Sequence, residues 1–339
     1  MRRQVLNRRH CRVVLGAALL GALATLLILT SCQRGFSGRV DSLSIGTAPL
    51  ESSALLYVAE SQHFFAANGL KVTFRDYDTG AASLNGLING EVEIATPAEY
   101  ALVAKTFERA PVSLIASIDK VQYFYIVGRK DRGIQSVQDL KGKKIGVVKQ
   151  TIAEFYLGRF LELHGVSTGE VTAVNVSIAK SEDAIANGDV DAIVARPPIF
   201  SPVQTRLGAN AVVWPAQSSQ ALHAILVGRN KWVGEYPDTV TRLLKSLVRA
   251  QEYVARNPVE ARAVVRERLG LDAAYMETAW PQNQFTLSLD QSLIVAMEDE
   301  ARWMISNKLT TEKTVPDFTD YVWPDGLEAV SPQSVNLIQ

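Results

Sequence analysis

The chain has 339 residues, 47% of them hydrophobic and 21% charged, with a formal net charge of zero. That composition fits a globular protein of two or three domains and excludes disordered and collagen-like chains. The zero is an average: residues 1–31 hold five arginines and no acid, leaving 30 basic against 35 acidic residues, without the basic block that nucleic-acid binding uses.

The leading arginines run into VVLGAALLGALATLLIL (13–29), an apolar run of 17 residues. A spanning helix needs about 20, so the run is borderline as an anchor. A basic start, an apolar centre and small residues before a boundary read as a secretory signal. Leu29-Thr30-Ser31-Cys32 resembles the bacterial lipobox, in which the peptide is cut before the Cys and the thiol takes a lipid. The expectation is a signal peptide over 1–31, a lipidated Cys32 and a polar tether over 32–40; a retained anchor helix is the alternative. Arg8-Arg9 lacks the apolar residue of a twin-arginine signal, since Cys11 stands there. Cys11 would leave with the signal, so Cys32 would be the lone cysteine and no intramolecular disulfide is expected.

The body then alternates strand and helix. LSIGTA (43–48) reads as a strand, 54–70 as a helix with Gly69 just past its end, and KVTFRDY (71–77) as a strand. Helix 81–91, strand 93–97, helix 98–108 and strand 112–118 follow. This order implies a mostly parallel sheet covered by helices. A second unit repeats it: strand 144–148, helix 151–165, strand 171–177, helix 181–188 with Ser181 as N-cap, and strand 191–195. Residues 238–304 read as largely helical, 238–256 being the clearest amphipathic stretch, and the last 35 residues show no clear element.

FYIVGRKDRG (124–133) and AILVGRNKWV (224–233) share Val-Gly-Arg and flank the second unit. Three residues recur easily by chance. Read as two crossings between domains, they place lobe 1 at 41–128 plus 229–339 and lobe 2 at 129–228, with Gly128 and Gly228 at a hinge beside a cleft.

HFFAANGLKVTF, LINGEVEIAT, DLKGKKIGV, GDVDAIVARPP and NPVEARAVVRERLGLD, in this order, resemble the periplasmic solute-binding proteins of ABC importers. The closer likeness is to the group that binds nitrate, taurine, aliphatic sulfonates or thiamine-pyrimidine precursors. The resemblance implies an α/β, type II periplasmic-binding-protein fold: two α/β lobes joined by two hinge strands that close on a small ligand. It also implies a monomer without cofactor in the periplasm or cell envelope, held to the membrane through Cys32 and serving an ABC permease and its ATPase.

Ligands of open α/β sheets bind beyond the carboxyl ends of the strands. That rule selects Ser52 and Ser53 after the first strand, Thr79 and Gly80 after the second, Glu99 and Tyr100 after the third, and Gln150, Thr151 and Arg196 in the second unit. Helix starts there present unpaired N–H groups and positive partial charge, which suit a sulfonate, carboxylate or nitrate. The resemblance likewise places ligand contacts at the Thr79-Gly80 loop and near Thr151. Each hydroxyl could also be a plain cap. Arg196 could grip an oxyanion with two hydrogen bonds or pair with Asp191 or Glu99. Glu99 points to an amine or aminopyrimidine instead, and Tyr123 and Tyr100 either stack on a ring or pack in the core. His63, His164 and His223 are scattered, so no metal site is expected, and no nucleophile or phosphate-loop motif occurs. A synthase of thiamine pyrimidine shares the implied fold but carries a cysteine-rich motif, and this chain has no cysteine after 32. A sensor subunit of a receptor is the third reading.

Overall fold

A computed structural model describes residues 38–338; the signal segment, Cys32 and most of the tether lie outside the described residues. The first elements are β1 (Asp41–Thr47), α1 (Ala54–Ser61), α2 (Phe64–Ala67), β2 (Leu70–Asp76), α3 (Gly80–Ile88), β3 (Ile94–Thr96), α4 (Glu99–Phe107) and β4 (Val112–Val121). Next come β5 (Tyr125–Arg129), β6 (Lys144–Val147), α5 (Ile152–Leu163), β7 (Thr172–Asn175), α6 (Ser181–Asn187), β8 (Ala192–Ala195), α7 (Phe200–Leu207) and β9 (Ala211–Pro215). The chain ends with β10 (Leu222–Arg229), α8 (Asn230–Glu235), α9 (Pro237–Arg256), α10 (Pro258–Leu269), α11 (Ala273–Ala279), β11 (Asn283–Gln284), β12 (Leu289–Asp290), α12 (Gln291–Ser306), α13 (Asp325–Val330) and β13 (Val335–Asn336).

Three expectations differ locally. The helix expected over 54–70 breaks at His63, whose φ of 57° is left-handed. Ser181 is the first residue of α6 rather than its cap, because a turn of 3₁₀ helix at 178–180 precedes it. The C-terminal residues are ordered: α13 packs on α9, and β13 pairs in parallel with β12.

Two sheets form two lobes, in the orders β11-β4-β10-β3-β1-β2 and β7-β6-β8-β5-β9. Each has three parallel strands next to an antiparallel strand from elsewhere in the sequence, β10 in the first and β5 in the second. The chain therefore crosses at 122–124, between β4 and β5, and returns at 216–221, between β9 and β10. The expected boundaries at 128 and 228 fall inside strands. Gly128 pairs with β8 and β9, Gly228 pairs with β3 and β4, and neither lies in a crossing. Their small size serves packing: a Cβ on Gly128 would lie 2.8 Å from Ile134, and one on Gly228 2.6 Å from Val233.

The shared Val-Gly-Arg marks equivalent positions in two similar lobes. Arg229 donates to the carbonyls of Leu87 and Val92 at the end of α3, at 2.7 and 2.8 Å. Arg129 donates to those of Ile185 and Ala186 at the end of α6, at 2.7 and 2.9 Å. Asn-Gly-Glu-Val-Glu (89–93) and Asn-Gly-Asp-Val-Asp (187–191) follow these helix ends, with Gly90 and Gly188 at φ 80° and 84°. Glu93 and Asp191 each accept from a backbone N–H of a neighbouring parallel strand, Ser44 and Lys144.

One hydrophobic core runs from the first lobe through the crossings to α5 of the second. Phe155 on α5 meets Trp303 on α12 edge-on at 5.7 Å and Tyr100 on α4 at 6.2 Å. Burial of such rings is a main stabilising term of the fold. The amphipathic stretch foreseen at 238–256 is α9, burying Val240, Leu243, Leu244, Leu247, Ala250 and Val254.

Candidate functional site

The loops after β1, β2 and β3 and those after β6 and β8 open on one cavity of about 280 Å³ between the lobes. Lobe 1 brings Ser52, Ser53, Thr79, Gly80 and Tyr100 to it; lobe 2 brings Gln150, Thr151 and Arg196; Tyr123 and Phe124 come from the first crossing. Thr79 caps α3, its Oγ1 accepting from Ala82 N at 3.0 Å. Thr151 caps α5, its Oγ1 accepting from Ala153 N at 3.2 Å and donating to Val148 O at 2.7 Å. These caps hold the first turns of α3 and α5, whose starts line the cavity. Gly80 is required by close approach, since a Cβ there would lie 2.9 Å from Pro97 Cα and 3.2 Å from Thr96 O. Ser53 is tied back, its Oγ 2.8 Å from Thr47 Oγ1. Gln150 holds φ 60°, a conformation that costs a non-glycine residue about 1–3 kcal/mol and clusters at binding sites.

Arg196 pairs with neither acid that could have competed for it. Asp191 accepts from Lys144 N at 3.0 Å, and Glu99 from His223 N at 3.0 Å. Its Nη1 donates to Pro197 O at 2.8 Å, and its Cζ stands 5.7 Å from the Tyr123 ring centre. Burial raises the Tyr123 hydroxyl to about 12, against the opposing pull of Arg196, so the phenol stays protonated as a donor. Tyr100, also raised by burial, is held between the cavity and Phe155.

Glu99 does not reach the cavity. It is fully buried at the start of α4, beside the bridge between Ala98 and Ala224, and its carboxyl accepts from His223 N of β10. There it shares the interior with Glu300 of α12 and Tyr156 of α5. Burial raises Glu99 to about 8, and burial together with Glu99 raises Glu300 well above the carboxylate range. Absent from the cavity lining, Glu99 supplies no anion for an amine ligand there.

Sequence reasoning missed two contributors. Gln217 on the second crossing donates to Val121 O at 2.9 Å and accepts from Tyr123 N at 2.6 Å and Phe124 N at 3.0 Å, tying the crossings together. The cavity wall along α4, at Ala101 and Ala104, was equally unforeseen. Its signal was there: Ala98, Ala101 and Ala104 lie three apart, on one helix face.

Comparisons with known proteins agree with this architecture. The family model described as NMT1/THI5 like matches residues 51–261. A Bacillus subtilis (strain 168) protein assigned to aliphatic sulfonate binding is 25% identical over 310 residues, covering 88% of this chain and 92% of its own. The periplasmic aliphatic sulphonate binding protein SsuA from Escherichia coli superposes with a TM-score of 0.73 at 16% identity, over 84% of this chain and 97% of that one. The alkanesulfonate-binding SsuA from Xanthomonas axonopodis pv. citri, bound to MOPS, gives 0.70 at 19% identity, over 85% and 100%. Enzymes are similar too: a 4-amino-5-hydroxymethyl-2-methylpyrimidine phosphate synthase of Aspergillus parasiticus is 23% identical over 222 residues, 61% of this chain and 64% of that one. The desulfurization enzyme DSZB gives a TM-score of 0.65 at 18% identity, over 86% and 99%. The fold is the periplasmic binding protein fold.

Proposed function

The chain belongs to the NMT1/THI5-like family, and from that premise we propose that it captures a small oxyanion, of the sulfonate, taurine or nitrate kind, by closing two lobes on it. The observation that carries this reading is the convergence of Arg196 and the starts of α3 and α5 on one cavity lined by both lobes. Helix starts and a guanidinium together suit a compact anion. Contacts to both lobes would favour the closed form by the difference in affinity between closed and open forms. The protein would be a lipid-anchored monomer of the cell envelope, held by Cys32, that delivers its ligand to an ABC permease and its ATPase. No helix among the described residues is long and apolar enough to cross a membrane.

The aminopyrimidine reading rested on Glu99, which faces away from the cavity. The relative and the solved structures matched over most of the chain as binding proteins favour binding over chemistry. A thermal-shift screen of taurine, short alkanesulfonates, nitrate and aminopyrimidines tests the reading. An oxyanion at a hundredfold excess over its Kd should stabilise the fold by about 2.7 kcal/mol. Stabilisation by an aminopyrimidine alone would replace the reading, and a flat melting temperature with every oxyanion would end it.

A further inference from the structure

Where α5 of the second lobe lies against α4 and α12 of the first, the buried seam holds a polar cluster. Glu300 and Trp303 stand three apart on α12 and so share a face. Trp303 sits over Gly158 of α5, where a Cβ would lie 2.5 Å from its Nε1, and it meets Phe155 edge-on at 5.7 Å. Glu99 of α4, Glu300 and Tyr156 of α5 are fully buried. Glu99 acts electrostatically on Glu300, and both act on Tyr156 across the lobe boundary. Both oxygens of Glu300, Oε2 of Glu99, the Tyr156 hydroxyl and the Trp303 N–H have no hydrogen-bond partner among the described residues.

Nor does a cation balance the two acids. Arg159 of α5 donates to Gln217 O at 3.4 Å, and Arg302 of α12 bonds Glu298 and Asp299 at 2.7 and 2.8 Å. Asp299 acts on Glu300 and Glu154 of α5 acts on Tyr100, both adding negative charge. Burial holds His223, whose N–H meets Glu99, at about 4, so its ring is neutral, and it keeps Tyr100 and Tyr123 protonated. An ionised carboxyl here would stand out of water, beside like charge and without a counter-ion. Ionisation therefore favours any arrangement that returns these acids to water.

Resting on the reading of capture by closing lobes, we infer that the seam between α5 and α12 is a proton-operated latch: it holds the lobes together while Glu99 and Glu300 carry protons and parts when they ionise. Both acids hold protons more tightly in the shut seam than in water, so the shut form is favoured at low pH. That advantage is complete below the ordinary value of 4.5 and is lost as pH rises through about 8. Ligand capture would then take up protons, and affinity would fall as pH rises.

Small-angle X-ray scattering of the ligand-free full chain at pH 5.5 and pH 9 tests the latch without any ligand. The expected result is a larger radius of gyration at pH 9. In the Glu99→Gln/Glu300→Gln variant, whose amides do not ionise, the radius should be the same at both. If that variant does not fold, Glu300→Gln alone should shrink the difference. Equal radii in the wild type, or an undiminished difference in the variant, overturn the latch. Should the wild type ignore pH yet contract on adding propanesulfonate, taurine or nitrate, the latch falls and capture by closure stands. No response to pH or to any of the three overturns both.

Discussion

Arg196 leaves lobe 2 at the end of β8 and stands in the cavity with no partner from the acids near it in sequence or fold. Arg196→Ala should abolish the thermal stabilisation by an oxyanion, whereas Arg196→Lys, keeping charge but losing the fork, should keep part of it. An unchanged shift in the alanine variant would remove Arg196 from the site. Glu99 yields a different prediction. Its folded state holds a proton that the unfolded chain releases above about 4.5, so stability falls as pH rises toward about 8. Glu99→Gln should make that fall shallower in urea titrations. An equal slope in both proteins would contradict the buried, protonated state. Nine of the ten candidate ligand residues line the cavity, most of them legible because loops at strand ends obey a simple geometric rule. Glu99 was not, because its partner is the N–H of His223 on β10, 124 residues away, which no local pattern announces.

At the scale of elements, the alternation of strands and helices was readable from periodicity and from glycines past helix ends. The crossings were not, because the residues that make them are ordinary. Tyr123 and Phe124 look like strand, and Gln217 looks like surface. Val-Gly-Arg drew attention for a sound reason, two lobes built alike, but its arginines cap helices α3 and α6 rather than flank a hinge. The Asn-Gly-Glu-Val-Glu and Asn-Gly-Asp-Val-Asp pair shows the same repetition more fully. Gln217→Leu keeps the volume and strips the bonds to Val121, Tyr123 and Phe124. Each buried group left without a partner costs about 1–3 kcal/mol, so the variant should lose at least about 2 kcal/mol in urea denaturation. A loss below about 0.5 kcal/mol would show that the clamp is dispensable.

Across the whole molecule, the two antiparallel strands β5 and β10 make each sheet depend on chain that passes through the other lobe's neighbourhood. The proposed closure would rotate the lobes about this pair of crossings while each sheet stays intact. The anchor proposed at Cys32 has its own check. Cys32→Ser should release the chain from the membrane fraction, and retention with the leading segment uncut would contradict the lipobox reading. The central claim is that both lobes hold one ligand. Small-angle X-ray scattering with and without the sulfonate that stabilises the fold tests it most directly. The account predicts a smaller radius of gyration at saturation, and no change for Arg196→Ala at the same concentration. Identical scattering from the free and saturated protein would contradict capture by closure.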